Sequence, residues 1–184
     1  MINHMFHEWQ RVQVDSKTYE EKQQLRKLYK HPPGWSKINV DTSYQAGVTH
    51  IGAGCIIRDD QGQFILAKAA RVRGVSTREA EALSFKEALT WTKNWRTRMC
   101  IFELDAKMVV DVVNGTRKNS NFHGIIHECK KILKHFKGVL VVLDHRFANR
   151  VAHVLTQMTC SMSNSMEWSS TAPDLIFNLI AGEY

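Results

Sequence analysis

Hydrophobic and polar positions alternate where the compact part of the chain begins. In SKINVD, Ile38 and Val40 point one way and Lys37, Asn39 and Asp41 the other, the two-residue period of a strand. GAGCIIRD is a second strand and QFILAKAA a third. Between them Asp60, Gln61 and Gly62 form a turn whose length and glycine suit an antiparallel hairpin. The period then changes. Ala82, Phe85, Leu89 and Trp91 or Thr92 recur at helical spacing, behind a cap at Ser76 or Thr77 and Glu79 in the first turn, so a helix runs to about Trp95. CIFEL is a fourth strand, ending at Asp105, and KMVVDVVN is a short helix stopped at Gly115. From about Phe122 to Phe136 another helix carries its apolar face on Ile125, Ile126, Cys129, Ile132, Leu133 and Phe136, with Lys130, Lys134 and Lys137 opposite. VLVVLDH is the fifth strand and ANRVAHVLTQM the last core helix. Three successive strands followed by alternation predict an α/β domain, a mixed sheet covered by helices.

Residues 1–34 follow a different pattern. Asp15 and Ser16 cap a helix through TYEEKQQLRKLYK, a highly charged run that Pro32, Pro33 and Gly34 stop. This segment reads as a solvated arm, or as a linker from a longer polypeptide, and residues 35–184 as the domain.

Composition narrows the choice of partner. The chain has 184 residues, of which 43% are hydrophobic, enough for a real core. Its net charge of +7 favours polyanionic partners, nucleic acid first and anionic membrane second. No apolar run is long enough for a transmembrane helix, so no membrane partner is expected. The start, MINHMFHEWQ, is too polar for a signal peptide. Cys55, Cys100, Cys129 and Cys160 form no CxxC pair and lie in apolar runs, as buried, reduced thiols do. An intracellular protein is expected, with nothing to separate nucleus from cytoplasm.

Acidic residues sit at the ends of the predicted elements. Asp41 closes the first strand, Glu81 lies in the first turns of the first long helix, and Asp105 closes the fourth strand. Any one of them alone reads as a solvated surface acid, or for Glu81 as a helix N-terminal charge. Together with their surroundings they say more. INVD, GAGCIIRDDQGQFILA, REAEALSFKEAL, FELDAKMVVDVVN and HRFANRVAHVL, in this order and spacing, resemble the ribonuclease H-like superfamily. The resemblance is closest to its plant-type, reverse-transcriptase-like members related to non-LTR retrotransposons, and EWSSTAPDLIFNLI resembles their C-terminal tail.

The resemblance implies a ribonuclease H-like fold: a five-stranded mixed sheet, its first three strands antiparallel, flanked by helices. It implies an endonuclease that binds RNA/DNA hybrids and hydrolyses the RNA strand, with two magnesium or manganese ions and no organic cofactor. Family positions map onto Asp41, Glu81 and Asp105 as metal ligands. The chemistry suits acids, because two cations about 4 Å apart repel strongly and hard cations take oxygen ligands.

The sequence departs from the pattern at the last helix. RVAHVL places His153 where active enzymes carry a fourth carboxylate. Three readings stay open: His153 completes the catalytic and metal-binding set as a ligand or proton carrier, the second ion is weak and activity low, or His153 is an ordinary polar residue. The alternative function is therefore a catalytically weak or inactive nucleic-acid-binding domain of retrotransposon origin. Asn149, four residues earlier on the same face, maps near the site as a nucleic-acid contact or serves as the helix N-cap. Arg71, Arg73 and Arg78 flank the first long helix and are the further candidates for phosphate contact, with Lys130, Lys131, Lys134 and Lys137 either joining them or forming a solvated face. Gly52 and Gly54 suit close backbone approach to a substrate strand, or strand irregularity. His123 and His127 have the spacing of a zinc pair but lack further ligands nearby.

Overall fold

The computed structural model describes residues 32–45, 47, 49–73, 76–94, 99–117, 122–144 and 149–182. The expected helix within residues 1–34, the end of the first long helix near Trp95, and the side chain of Arg78 lie outside the described residues.

The elements follow in the expected order. Strands β1 (Ser36–Ser43), β2 (His50–Arg58) and β3 (Phe64–Arg73) precede helix α1 (Thr77–Thr92), and β4 (Met99–Leu104) precedes α2 (Lys107–Val113) and α3 (His123–Leu133). Strand β5 (Gly138–Leu143), α4 (Arg150–Met158), a 3-10 turn (Thr159–Ser161), β6 (Met166–Trp168) and α5 (Asp174–Gly182) complete the fold. The turn after β2 is held by Asp59, whose Oδ1 accepts from the Gln61 and Gln63 amides, and Gly62 supplies the positive φ of +81°. Ser76 caps α1 by accepting from the Glu79 amide.

The sheet has six strands in the order β5-β4-β1-β2-β3-β6, not the five expected. The sixth pairs antiparallel with the outer edge of β3 through Ala67↔Trp168, Lys68↔Glu167 and Ala69↔Met166. Three residues are too few to show a strand period, and they become a strand only because β3 offers an open edge. As expected, β1, β2 and β3 are antiparallel, while β1–β4 and β4–β5 are parallel.

Each face of the sheet has its own core. On one face Ile38, Val40, Ile57, Phe102 and Leu104 pack beneath Phe85 and Leu89 of α1, Val109 of α2, and Ile126 and Cys129 of α3. Phe102 sits edge-on between Phe85 and Phe136, both ring centres 5.6 Å away. On the other face Ile56, Ala67 and Ala69 meet Val151, Ala152 and Leu155 of α4 and Ile176 of α5. Cys55, Cys100 and Cys129 are buried as expected, but Cys160 is exposed, because the 3-10 turn after α4 rotates it off the core. Among the described residues no helix is long and apolar enough to cross a membrane.

Candidate active site

The parallel pairing of β1 with β4 places the acids. Their ladder ends at Val40↔Leu104, so Asp41 in β1 and Asp105 just past the end of β4 come next, and the Asp105 charge is felt at Asp41. Asp41 does not close its strand, as the sequence suggested. The β1–β2 ladder continues through Thr42↔Ala53 to Ser43↔Gly52, while β4 turns away into α2, leaving one flank of Asp41 open. Strand β3 runs parallel to β1, so α1 begins at the same edge and brings half-buried Glu81 in its second turn.

Below the two aspartates a buried polar network holds the register. Asn39 and Glu103 face each other across the ladder, and the Asn39 Nδ2 donates to Glu103 Oε2 at 2.8 Å. Lys37 Nζ reaches the same oxygen at 2.9 Å, and Arg58 Nη2 donates to Asn39 Oδ1 at 2.5 Å. The alternation in SKINVD pointed Lys37 and Asn39 away from Ile38 and Val40 but said nothing of this network. A network of this kind fixes one arrangement of strands because any slip leaves buried charge without its partner.

Helix α4 completes the site, and two glycines let it in. A Cβ on Gly54 would stand 2.8 Å from Thr156 Cγ2 and 2.9 Å from the Thr156 amide nitrogen; one on Gly52 would stand 2.7 Å from the Thr156 carbonyl oxygen. The glycines thus admit a helix of this chain to the sheet, which accounts for their small size without a substrate strand. Seated this closely, α4 brings His153 Nδ1 to 2.8 Å from Asp41 Oδ2. With Asp41 ionised the carboxylate only accepts, and the proton of this contact then sits on Nδ1. The other ring nitrogen, Nε2, lies 3.2 Å from the Gln157 side-chain nitrogen, which donates to it in the neutral ring. Thr156 Oγ1 donates to the His153 carbonyl at 2.8 Å and lies 3.5 Å from Asp41 Oδ2.

Burial is the main force on the Asp41 carboxyl and pushes it above the usual carboxylate range. The His153 hydrogen bond opposes this, and the neighbouring Asp105 charge adds to the rise. Only 6% of the Asp41 side chain is exposed, against 45% of His153, so the imidazole forms the outer wall of the pair.

The other candidates are placed as follows. Asn149 stands at the N-cap position of α4, but its side chain does not cap; Nδ2 donates to the Val40 carbonyl at 2.7 Å. It is 1% exposed, a tie between α4 and β1 rather than a surface contact, and its Oδ1 is buried with no hydrogen-bond partner among the described residues. Arg71 and Arg73 are exposed near the end of β3, with Arg71 Nη1 donating to the Met162 carbonyl at 3.3 Å. Lys130, Lys131, Lys134 and Lys137 are exposed, and Lys131 pairs with Glu128 at 3.0 Å. Thr156 and Gln157 were missed in the sequence. With Asn149 and His153 they form a polar stripe at helical spacing beside the apolar positions Val151, Ala152 and Leu155, and that stripe was the available signal.

A divalent cation is what the resemblance implies, and part of the site fits one. Asp41 and Asp105 offer hard oxygen donors at one edge, and magnesium takes only one or two carboxylates, filling the rest of its shell from water and substrate phosphate. A second ion fits less well. Among the described residues no three His, Cys, Asp or Glu side chains are gathered as a metal-holding group, and Asp41 Oδ2 is taken by His153.

Comparison with known proteins agrees with this architecture. No curated protein matches the chain. Among solved structures, RNase H1 from the halophilic archaeon Halobacterium salinarum superposes with a TM-score of 0.65 at 12% identity, covering 69% of this chain and 98% of that one. The N-terminal RNase H domain of a Mycobacterium tuberculosis protein gives 0.61 at 15% identity, covering 67% and 97%. LC11-RNase H1 in complex with an RNA/DNA hybrid gives 0.60 at 16% identity, covering 67% and 94%. At these identities the likeness speaks for the fold. The family described as reverse transcriptase-like matches residues 39–159, a segment that takes in Asp41, Glu81, Asp105 and His153. The chain therefore belongs to the reverse transcriptase-like family and has a ribonuclease H-like fold.

Proposed function

We propose that this protein binds RNA/DNA hybrids and hydrolyses their RNA strand as a ribonuclease H-type endonuclease, using magnesium or manganese that Asp41 and Asp105 would hold, with Glu81 the further acid the resemblance assigns to the site. The observation that carries this reading is the β1–β4 register, after whose last pair Asp41 and Asp105 come next at one sheet edge, in a chain of this family. A bound divalent ion offsets phosphate charge and makes water a stronger nucleophile for in-line attack. The chain's own residues do the rest. Asp41 and Asp105 present oxygens to the cation, and the Asn39–Glu103 network keeps their strands from slipping. The His153 N–H holds the Asp41 carboxylate in one orientation. Arg71 and Arg73 are exposed near the end of β3, where they can meet phosphates from the solvent side, which positions a duplex without reading its bases. Discrimination of a hybrid then rests on groove shape and 2′-hydroxyls.

The test is Asp105→Asn with a labelled hybrid in magnesium and in manganese, alongside single-stranded and duplex controls. The variant keeps its circular dichroism spectrum and loses hybrid cleavage; cleavage at the wild-type rate rejects the reading. A second reading, a hybrid-binding module that does not cut, draws its support from His153 standing on Asp41 where a carboxylate would complete the acid set. Cleavage that appears in His153→Asp from a silent wild type selects it.

A further inference from the structure

We propose that the outward side of α3 is a second nucleic-acid surface, which holds a single strand of DNA or RNA on a row of histidines and lysines. The inference goes beyond the hydrolytic reading and needs no active acid edge.

Helical spacing makes the row. His123, His127, Lys130 and Lys134 recur every three or four residues, and Lys134 keeps helical backbone at the C-cap. They fall within about 60° of one another around the helix, along roughly 16 Å of its length. All are exposed, while Ile126 and Cys129 on the other side are buried in the core. Among the described residues none of the row pairs with a carboxylate. Glu128, the only acid of the helix, stands to the flank and is held by Lys131 at 3.0 Å. Lys86 of the adjoining α1 adds positive charge that is felt at Glu128 and Cys129, and Lys137 is exposed in the connection to β5. A cationic last turn complements the helix dipole, which accounts for Lys130 and Lys131. It does not account for a row that begins at the first residue of the helix.

The make-up of the row selects the occupant. Surfaces that hold single strands combine cations for the phosphates with flat rings on which bases stack, and imidazole is such a ring. An anionic membrane is the other polyanion open to a chain of net charge +7. A helix that lies on a membrane buries its apolar side there, and α3 has turned that side into the protein; no large hydrophobic residue is exposed on it.

Position selects a single strand over more of the duplex. Lys134 leads into β5, which starts level with Met99, whereas Asp105 follows Leu104 at the other end of that ladder, about 20 Å away. Helix α3 also covers the sheet face opposite α4. A duplex is stiff over roughly 150 base pairs and does not turn from the acid edge round a domain of this size. A single-stranded tail of the same substrate does.

The test uses the full chain and a fluorescein-labelled oligothymidylate in EDTA, with binding read by anisotropy across a salt series. Lys130→Gln/Lys134→Gln removes two phosphate contacts. At about 0.7 counterions per phosphate its slope of log affinity against log salt is shallower by about 1.4, so the wild-type advantage shrinks roughly 7-fold between about 50 and 200 mM salt. His123→Ala/His127→Ala weakens binding at least about 5-fold through lost stacking. Arg71→Gln/Arg73→Gln, at the acid edge, binds the oligonucleotide as wild type does. Circular dichroism checks the fold of each variant. Lysine acetylation of the wild-type chain, mapped by mass spectrometry, stands even if a variant misfolds: the oligonucleotide protects Lys130 and Lys134 but not Lys107. Equal salt slopes for the lysine variant and wild type, full affinity in the histidine variant, or unprotected lysines overturn the proposal. So does a wild type that sediments with phosphatidylserine vesicles and ignores the oligonucleotide. A chain that binds the single strand and leaves hybrids uncut removes the hydrolase reading and keeps this one; one that cuts hybrids and does not bind the single strand does the reverse.

Discussion

Gly54→Ala puts the seating of α4 to a direct test. The new methyl group would lie 2.8 Å from Thr156 Cγ2 and 2.9 Å from the Thr156 amide nitrogen, and closer still to the Ala152 carbonyl oxygen. Ordinary contact starts at 3.4 Å, so relief from the 2.8 Å contact alone requires α4 to withdraw by about 0.6 Å. Two of these atoms belong to helix backbone and cannot swing aside. Overpacking of this kind costs roughly 1–3 kcal/mol. At roughly 2–4 °C per kcal/mol for a chain of this size, the Tm should fall by about 2–12 °C. The same withdrawal stretches the 2.8 Å His153–Asp41 bond beyond the roughly 3.2 Å limit of a good N–H···O contact. Thermal unfolding followed by circular dichroism reads the first effect, and the His153 Nδ1–H resonance reads the second. Gly124→Ala is the control. Nothing lies within 4 Å of its Cβ position and it sits in α3 with ordinary φ, so alanine there should stabilise by up to about 1 kcal/mol through helix propensity. A Gly54→Ala protein that melts within about 1 °C of wild type with its Nδ1–H resonance intact would refute the argument that glycine seats the helix.

Two further outcomes follow from the same structure. Burial, reinforced by Asp105, holds the Asp41 carboxyl above its ordinary range despite the His153 bond, so the folded protein binds this proton more tightly than the unfolded chain. Ionising Asp41 therefore lowers stability as pH rises from about 4 through the raised value, and Asp41→Asn should gain on wild type over that window, with a higher Tm than wild type at neutral pH and no advantage near pH 3; a Tm difference independent of pH would contradict the assignment. Phe102→Ala removes a fully buried ring from between Phe85 and Phe136 and should cost roughly 3–5 kcal/mol, read as a lower urea midpoint at unchanged slope.

Much of this molecule is visible in local periodicity. The two-residue alternation of β1, the helical spacing of Ala82, Phe85 and Leu89, the turn at Gly62 and the cap at Ser76 all appear in the structure where the pattern placed them, because each depends on neighbours a few residues away. Asp41 and Asp105 were marked by the expected strand ends taken together with the family resemblance, although β1 runs on to Ser43 beyond Asp41. Relations across the chain were not visible. Asn39 falls on the polar face of its strand, yet it is fully buried, since alternation separates the two faces of a strand without saying what covers each. Gly52 and Gly54 advertise a close approach but not its partner, which is the chain's own helix. The short β6 needed the free edge of β3 to exist as a strand. Asp41 and His153 are 112 residues apart, and their contact is set by strand register, a glycine seat and the ties at Asn149 and Thr156 acting together. Contacts of that range arise from packing, where the position of each element depends on all the others, and so only the folded chain reveals them.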